Sequence, residues 1–309
     1  GKPYLDGYKA IFMPAKQVLP AMESGKIMAE FRGFAPPQRD ELVEAMGDKV
    51  TVSESPWLSN LLVVFNTRRK PFDDARVRRA LSLAIDRWGA AERLQATTFL
   101  KDVGGLMRPG SSMAMPQTEL ETMPGFSHDV AASRAEAKRL LAAAGVHDLK
   151  LTVLVRDIPM PHYAGAELLA QSWAAIGVAV TLKKLNIFDW RKQVEAHDFD
   201  VAQDFQGDFY DDPTIQLAKY VSEDLSPVDF SGVTDRYLDA LYIGQALTTD
   251  PRERTKIVRD FERHALNSAA TVPLLWWNRI VVMSSRVKGW HITPSHFIGQ
   301  DLTDVWLDR

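Results

Sequence analysis

Residues 61–65 (LLVVF) form a continuous apolar run, the pattern of a strand buried on both faces. Beyond it the period changes: Pro71 breaks regular structure, Asp73 or Asp74 can accept from free N–H groups, and Val77, Leu81, Ala84 and Ile85 then share one helical face. The same reading predicts helices over 15–24, 36–47, 130–144, 163–176, 188–196, 234–247 and 251–267. Prolines precede the 36–47 helix and Gly47 closes it, while Gly145 can take the left-handed conformation that ends the 130–144 helix. Strands are expected over 8–13, 49–53, 60–65, 149–155 and 178–185, with a turn at Pro56-Trp57 between the second and third. Gly, Pro, Ser and Met recur without a period over 104–126, which reads as a long irregular connection. The strand-helix-strand order across 149–185 favours parallel pairing through a right-handed crossover, so the fold class is α/β.

Residues 66–87, NTRRKPFDDARVRRALSLAIDR, resemble the "N…PFdD.rVR.Al..AiDr" segment of the family 5 extracellular solute-binding proteins, the peptide, nickel and opine receptors of bacterial ABC importers. GKPYLDGY (1–8), ASRAEAKRLLAAAG (132–145), AELLAQSWAAIGVAVTL (166–182), PLLWW (273–277) and VKGW (287–290) resemble further segments of that family in the same order, so the resemblance covers nearly the whole chain. The 66–87 segment marks a scaffold and names no ligand. Arg76, Arg78 and Arg79 invite a phosphate-binding reading, but charges on an amphipathic helix are more often a solvated face, and that is the expectation here.

Composition narrows the class without changing it. With 309 residues, 46% apolar, 25% charged and a formal charge of −3, the chain can bury a sizeable core and has no basic excess to attract nucleic acid or anionic membrane. No apolar run approaches the roughly 20 residues that span a bilayer. The absence of cysteine excludes disulfides, thiolate metal sites and cysteine nucleophiles.

The resemblance implies a two-lobed periplasmic-binding-protein-like fold (type II-like, large subclass) that closes on a solute between its lobes. On that template residues 1–66 belong to the first lobe and the hinge approach, 67–285 form the second lobe, and 286–309 return to the first. Gly1 then falls well inside the family's full length, so the signal peptide is expected to have been removed with a leading segment, or that segment to lie on a companion chain. The implied function is non-enzymatic: capture of a small solute, peptide or opine and amino-acid-like above all, and delivery to ABC permease subunits from the periplasm or a lipid-anchored extracellular position. No cofactor and no nucleic-acid partner is implied.

Candidate chemistry concentrates at 200–213, DVAQDFQGDFYDDP. Val201 and Phe205 suit a strand, and Gly207 with the Asp-Asp-Pro run marks its exit, the place where open α/β sheets hold ligands. The segment resembles the family's "W..D..dP" loop, whose aspartate pairs with a peptide's α-ammonium. That aspartate normally stands four residues before the proline, where this chain has Phe209, so Asp208 takes the role if the loop carries one extra residue. Gln206 and Tyr210 flank it as further candidates. Asp204, Asp211 and Asp212 read as solvated turn residues or helix caps, which is also the alternative for Asp208. A calcium loop lacks the alternating spacing, and a hydrolase or metal-dependent enzyme built on 204–212 lacks a nucleophile–base pair; these and a non-transport interaction module are the runner-up readings. Trp57, Asn60, Trp276 and Trp277 form a second group near the expected cleft, where flat aromatic faces can stack on a solute. In a strand the adjacent tryptophans point to opposite faces, so one is expected to serve the core.

Overall fold

The computed structural model describes residues 1–207 and 210–308. Its elements are α1 (Val18–Glu23), α2 (Pro36–Met46), β1 (Val50–Phe65), α3 (Ala75–Leu83), α4 (Arg87–Leu94), β2 (Leu100–Asp102), α5 (Gln117–Leu120), α6 (Val130–Ala143), β3 (Lys150–Arg156), α7 (Ala164–Ala174), β4 (Ala179–Leu185), α8 (Ile187–Glu195), β5 (Val201–Phe205), α9 (Pro213–Gln216), α10 (Arg236–Leu247), α11 (Pro251–Ser268), β6 (Thr271–Ser284), β7 (Val287–Lys288) and β8 (Trp306–Leu307). Aspartate and asparagine set many of the helix starts: Asp74, Asp86, Asp129, Asn186, Asp235 and Asp250 each accept from backbone N–H groups of the turn they open.

Six strands make one mixed sheet in the order β2-β6-β1-β5-β3-β4. β3 runs parallel to β4 and β5, as the strand-helix-strand order requires, and β1 runs antiparallel to β5 and β6. On one face α3, α4, α6 and α7 bury Phe65, Val77, Leu81, Leu169 and Trp173. On the other, α10, α11 and the 104–126 connection bury Leu106, Met107, Phe126, Leu238 and Phe261. Helix α7 lies so close to the sheet that a Cβ on Gly165 would stand 2.4 Å from Leu61 Cδ1 and 2.6 Å from Gln203 Nε2.

The two long strands depart from expectation. Instead of two strands separated by a turn, residues 50–65 form a single strand whose register against β6 shifts between Pro56 and Asn60 and again between Asn60 and Leu62. A bulge takes up extra residues without reversing the chain, and Pro56, which has no N–H, lies in the half of β1 that β5 does not reach. Residues 271–284 form β6, which continues past the two tryptophans to Ser284 beside residues 50–56. Past the register shift both strands change partners. Val50 and Val282 pack with Met22, Phe34 and Leu42 of the α1–α2 region, and Val281 and Met283 pack with Trp290 and Val305.

Three further readings are corrected. Residues 8–13 form no strand, and Phe12 is 98% exposed, because no neighbouring strand among the described residues offers a ladder. The helix after Pro71 ends at Leu83, so Ile85 lies outside it, and Asp86 opens the next helix, its carboxylate accepting from Gly89 N at 2.8 Å. Arg78 is buried, neither solvated nor a phosphate ligand: it donates to Phe72 O at 2.8 Å and Ser268 O at 2.9 Å, and Arg79 donates to Asn267 O at 2.5 Å. Arg76 alone of the three is exposed, paired with Asp74.

Candidate functional site

Pairing brings distant residues to one level of the sheet. Phe205 at the end of β5 stands opposite Leu61, Asn60 opposite Trp276, and Leu100 opposite Trp277. Arg156 closes the parallel neighbour β3 at the same edge, the carboxyl side of the parallel strands. Trp57, Asn60, Phe205, Gln206, Trp276 and Trp277 therefore gather where the register of β1 shifts, although up to 220 residues separate Trp57 from Trp277 in sequence.

The two faces differ. On the first, Trp277 lies edge-on to Trp57 at 5.5 Å and stacks on Phe205 at 6.0 Å, and the Phe205 ring also meets His162 and the Arg156 guanidinium, 4.6 Å from its centre. Trp57 donates to His296 Nδ1 at 3.3 Å, so the C-terminal segment seals this cluster from the far side. On the second face, Trp276 donates to Gly105 O at 3.0 Å, and Gln206 Nε2 donates to Gln216 O at 2.9 Å and Leu106 O at 3.4 Å. Gly104 is needed there, because a Cβ would stand 2.8 Å from the Trp276 indole and 2.5 Å from Pro109. The adjacent tryptophans point to opposite faces as alternation demands, but both are buried.

Several polar atoms at this level have no partner among the described residues: both amide atoms of Asn60, Gln206 Oε1, Trp277 Nε1 and Arg156 Nε. A buried polar atom left unpaired costs on the order of 1–3 kcal/mol. These atoms lie buried together at one strand edge, without the partners that burial ordinarily demands.

The acidic segment resolves into separate roles. Asp204, expected in a solvated turn or cap, is buried on β5 between Arg156 (2.9 Å) and Lys219, because a strand position facing the core turns its carboxylate inward. Burial draws the Arg156 guanidinium below its ordinary range, and the Asp204 charge opposes that shift. Asp211 accepts from Arg108 at 2.5 Å. Asp212 caps α9 through Thr214 N at 2.8 Å and meets Arg254 at 3.0 Å; against the opposing effect of burial, these bonds hold its carboxyl below the usual range. Tyr210 is 52% exposed, and its carbonyl accepts from Gln216 Nε2 at 3.0 Å. Asp208 and Phe209 lie outside the described residues. Among the described residues no three His, Asp or Glu side chains converge to hold a metal ion. Periodicity passed over Arg156, Lys219 and His162, although a lone arginine closing an apolar strand (KLTVLVR) is a signal that could have found the first.

Comparison with known proteins extends these observations. Residues 1–225 match the model described as bacterial extracellular solute-binding proteins, family 5, middle. The chain is 26% identical over 250 residues to the probable D,D-dipeptide-binding periplasmic protein DdpA of Escherichia coli, covering 80% of this chain and 46% of that one. It is 25% identical over 254 residues to heme-binding protein A of Haemophilus influenzae, covering 80% and 44%. Its fold is similar to the ABC transporter substrate-binding protein CtaP of Listeria monocytogenes (TM-score 0.79, 21% identity, 96% of this chain and 59% of that one). It is similar also to the periplasmic binding protein DppA of Helicobacter pylori in complex with the peptide STSA (TM-score 0.76, 20% identity, 96% and 55%). The chain thus spans about half the length of the curated relatives it matches.

Proposed function

The chain belongs to family 5 of the bacterial extracellular solute-binding proteins, and on that premise we propose that it is part of a non-enzymatic receptor that carries a peptide or amino-acid-like solute to an ABC permease. The observation that supports this reading most is the gathering of Trp57, Asn60, Phe205, Gln206 and Trp277 at the carboxyl edge of the parallel strands, with polar atoms of Asn60, Gln206 and Trp277 that lack a partner among the described residues. With the segments that cover these residues drawn aside, a short peptide would supply amide groups for Asn60 and Gln206, a flat plane for the indoles, a carboxylate for Arg156 and an ammonium for Asp208. The relatives named as periplasmic support a periplasmic site of action. No helix among the described residues is long and apolar enough to cross a membrane.

In this reading the lobes divide as 1–66, 67–285 and 286–309, with β1 and β6 crossing between them, and the change of core partners along β6 favours counting 278–285 with the first lobe. The edge of residues 50–56 that faces away from β6, together with exposed Tyr4, Tyr8 and Phe12, supports a further segment, in the same chain or a companion, that completes that lobe. Calorimetry with a panel of di- and tripeptides tests the function. Free peptides bind, N-acetylated ones lose roughly 2–5 kcal/mol, as does the Asp208→Asn variant with free peptide. Mass spectrometry recovers the solute unchanged. A cleaved product, or equal affinity for free and acetylated peptides, overturns the reading.

A further inference from the structure

Residues 104–115 have almost no regular structure, yet Leu106, Met107 and Met115 are buried. Their backbone finds its partner in one side chain of α11. Glu262 Oε1 accepts from Leu106 N at 2.5 Å and Met107 N at 3.4 Å, while Oε2 accepts from Met115 N at 3.2 Å. The fit is close enough that a Cβ on Gly105 would stand 1.9 Å from Oε1.

The segment so held touches the candidate site at three points. Gly105 O receives the Trp276 indole, Leu106 O receives the Gln206 amide, and Arg108 holds Asp211 of the acidic loop. We propose that Glu262 is a positioning residue for the solute site, its carboxyl fixing the 104–115 segment that in turn sets Trp276, Gln206 and Asp211. This rests on the reading of that site as the solute site. Glu262 is fully buried, so it acts through the segment.

The arrangement makes the segment sensitive to protons. Burial pushes the Glu262 carboxyl up to about 7, against the three N–H groups that lower it, and Glu119 pushes it further. The buried Tyr220 phenol interacts with it as well. Of the other charges on the packed elements, Glu119 pairs with Arg263, Asp239 with Arg236, and Arg78 and Arg79 with carbonyls at the end of α11, while Arg259 Nε on α11 lacks a partner among the described residues. If the segment lifts, Glu262 meets water and returns toward 4.5. A carboxyl more basic when packed favours packing when protonated, so lifting becomes easier as pH rises from 4.5 to about 7. The full span of that difference corresponds to a change in opening of up to about 300-fold.

Hydrogen exchange read by mass spectrometry on the whole 309-residue chain without solute, from pH 5 to 8 and corrected for intrinsic rates, tests the proposal directly. Peptides over 104–115 lose at least about tenfold in protection with rising pH, a large part of the linked span, while those over 61–65 do not. Glu262→Gln, a neutral group of the same shape, abolishes the dependence. The dipeptide Ala-Phe then serves as ligand probe: its Kd weakens with rising pH in the natural protein and stays flat in Glu262→Gln. A pH-independent segment in the natural protein overturns the proposal even if the variant fails to fold, and so does a variant that keeps the natural profile. Failure of Ala-Phe to bind while the exchange profile holds counts against the solute site and not against Glu262.

Discussion

His162 and Glu262 are buried on opposite faces of the sheet, and burial drives them to opposite pH responses. Burial lowers the His162 imidazolium from 6.5 to about 4, with the Arg156 charge adding to the effect. The stability contributed by the neutral ring is complete above 6.5 and is lost as pH falls toward 4. Glu262 is raised to about 7, so its contribution is complete below 4.5 and is lost as pH rises toward 7. Each amounts to about 3 kcal/mol across its window, and the two offset one another between pH 4.5 and 6.5. Urea midpoints should therefore fall with rising pH in His162→Gln and climb in Glu262→Gln, both relative to the natural protein; three parallel profiles would refute the pairing. Gly165→Ala is a second test at this scale. Its methyl would meet Leu61 and Gln203 in a packed layer, so a loss of about 1–3 kcal/mol is expected by the same denaturation measurement.

Helix α3 shows what the sequence could and could not convey about an element. Its start was legible because Asp74 caps it from two residues away, as Asn186 and Asp250 do for other helices and Asp129 does from three. The fate of Arg78 was not, because its acceptor Ser268 O lies 190 residues away at the end of α11. For the same reason the continuity of β1 escaped a local reading: Pro56-Trp57 has the chemistry of a turn, and the presence of β6 makes it a bulge instead. Among site residues, those beside a strand exit or in an aromatic pair could be picked out. Arg156 and Glu262 acquire their roles from partners that the fold brings to them. Replacing Arg78 by alanine strands the Phe72 and Ser268 carbonyls and should cost about 2–4 kcal/mol, on the scale of two charged hydrogen bonds. Lysine should recover less than half of it, since an ammonium lacks the planar fork that spans both acceptors.

Across the whole molecule β1 and β6 are the common thread, paired from residues 50 and 284 through to 64 and 271. Among the described residues, 61–65 of β1 have strands on both sides and 50–56 only on one. Amides over 50–56 should exchange faster than those over 61–65, and addition of a segment that completes this edge should slow them; equal protection in the isolated chain would contradict the open edge. The ribbon also has a mechanical meaning. Two bonded strands resist stretching and shear but twist readily, and the interruption at residues 56–60 is where twist would gather. The angle at which the two halves rest is thus a property separate from the chemistry between them. On the proposed receptor function, substitutions at Leu58 or Ser59 that reset that angle would change the work of closing and so retune affinity for every solute by a common factor, leaving the ranking among solutes as it was.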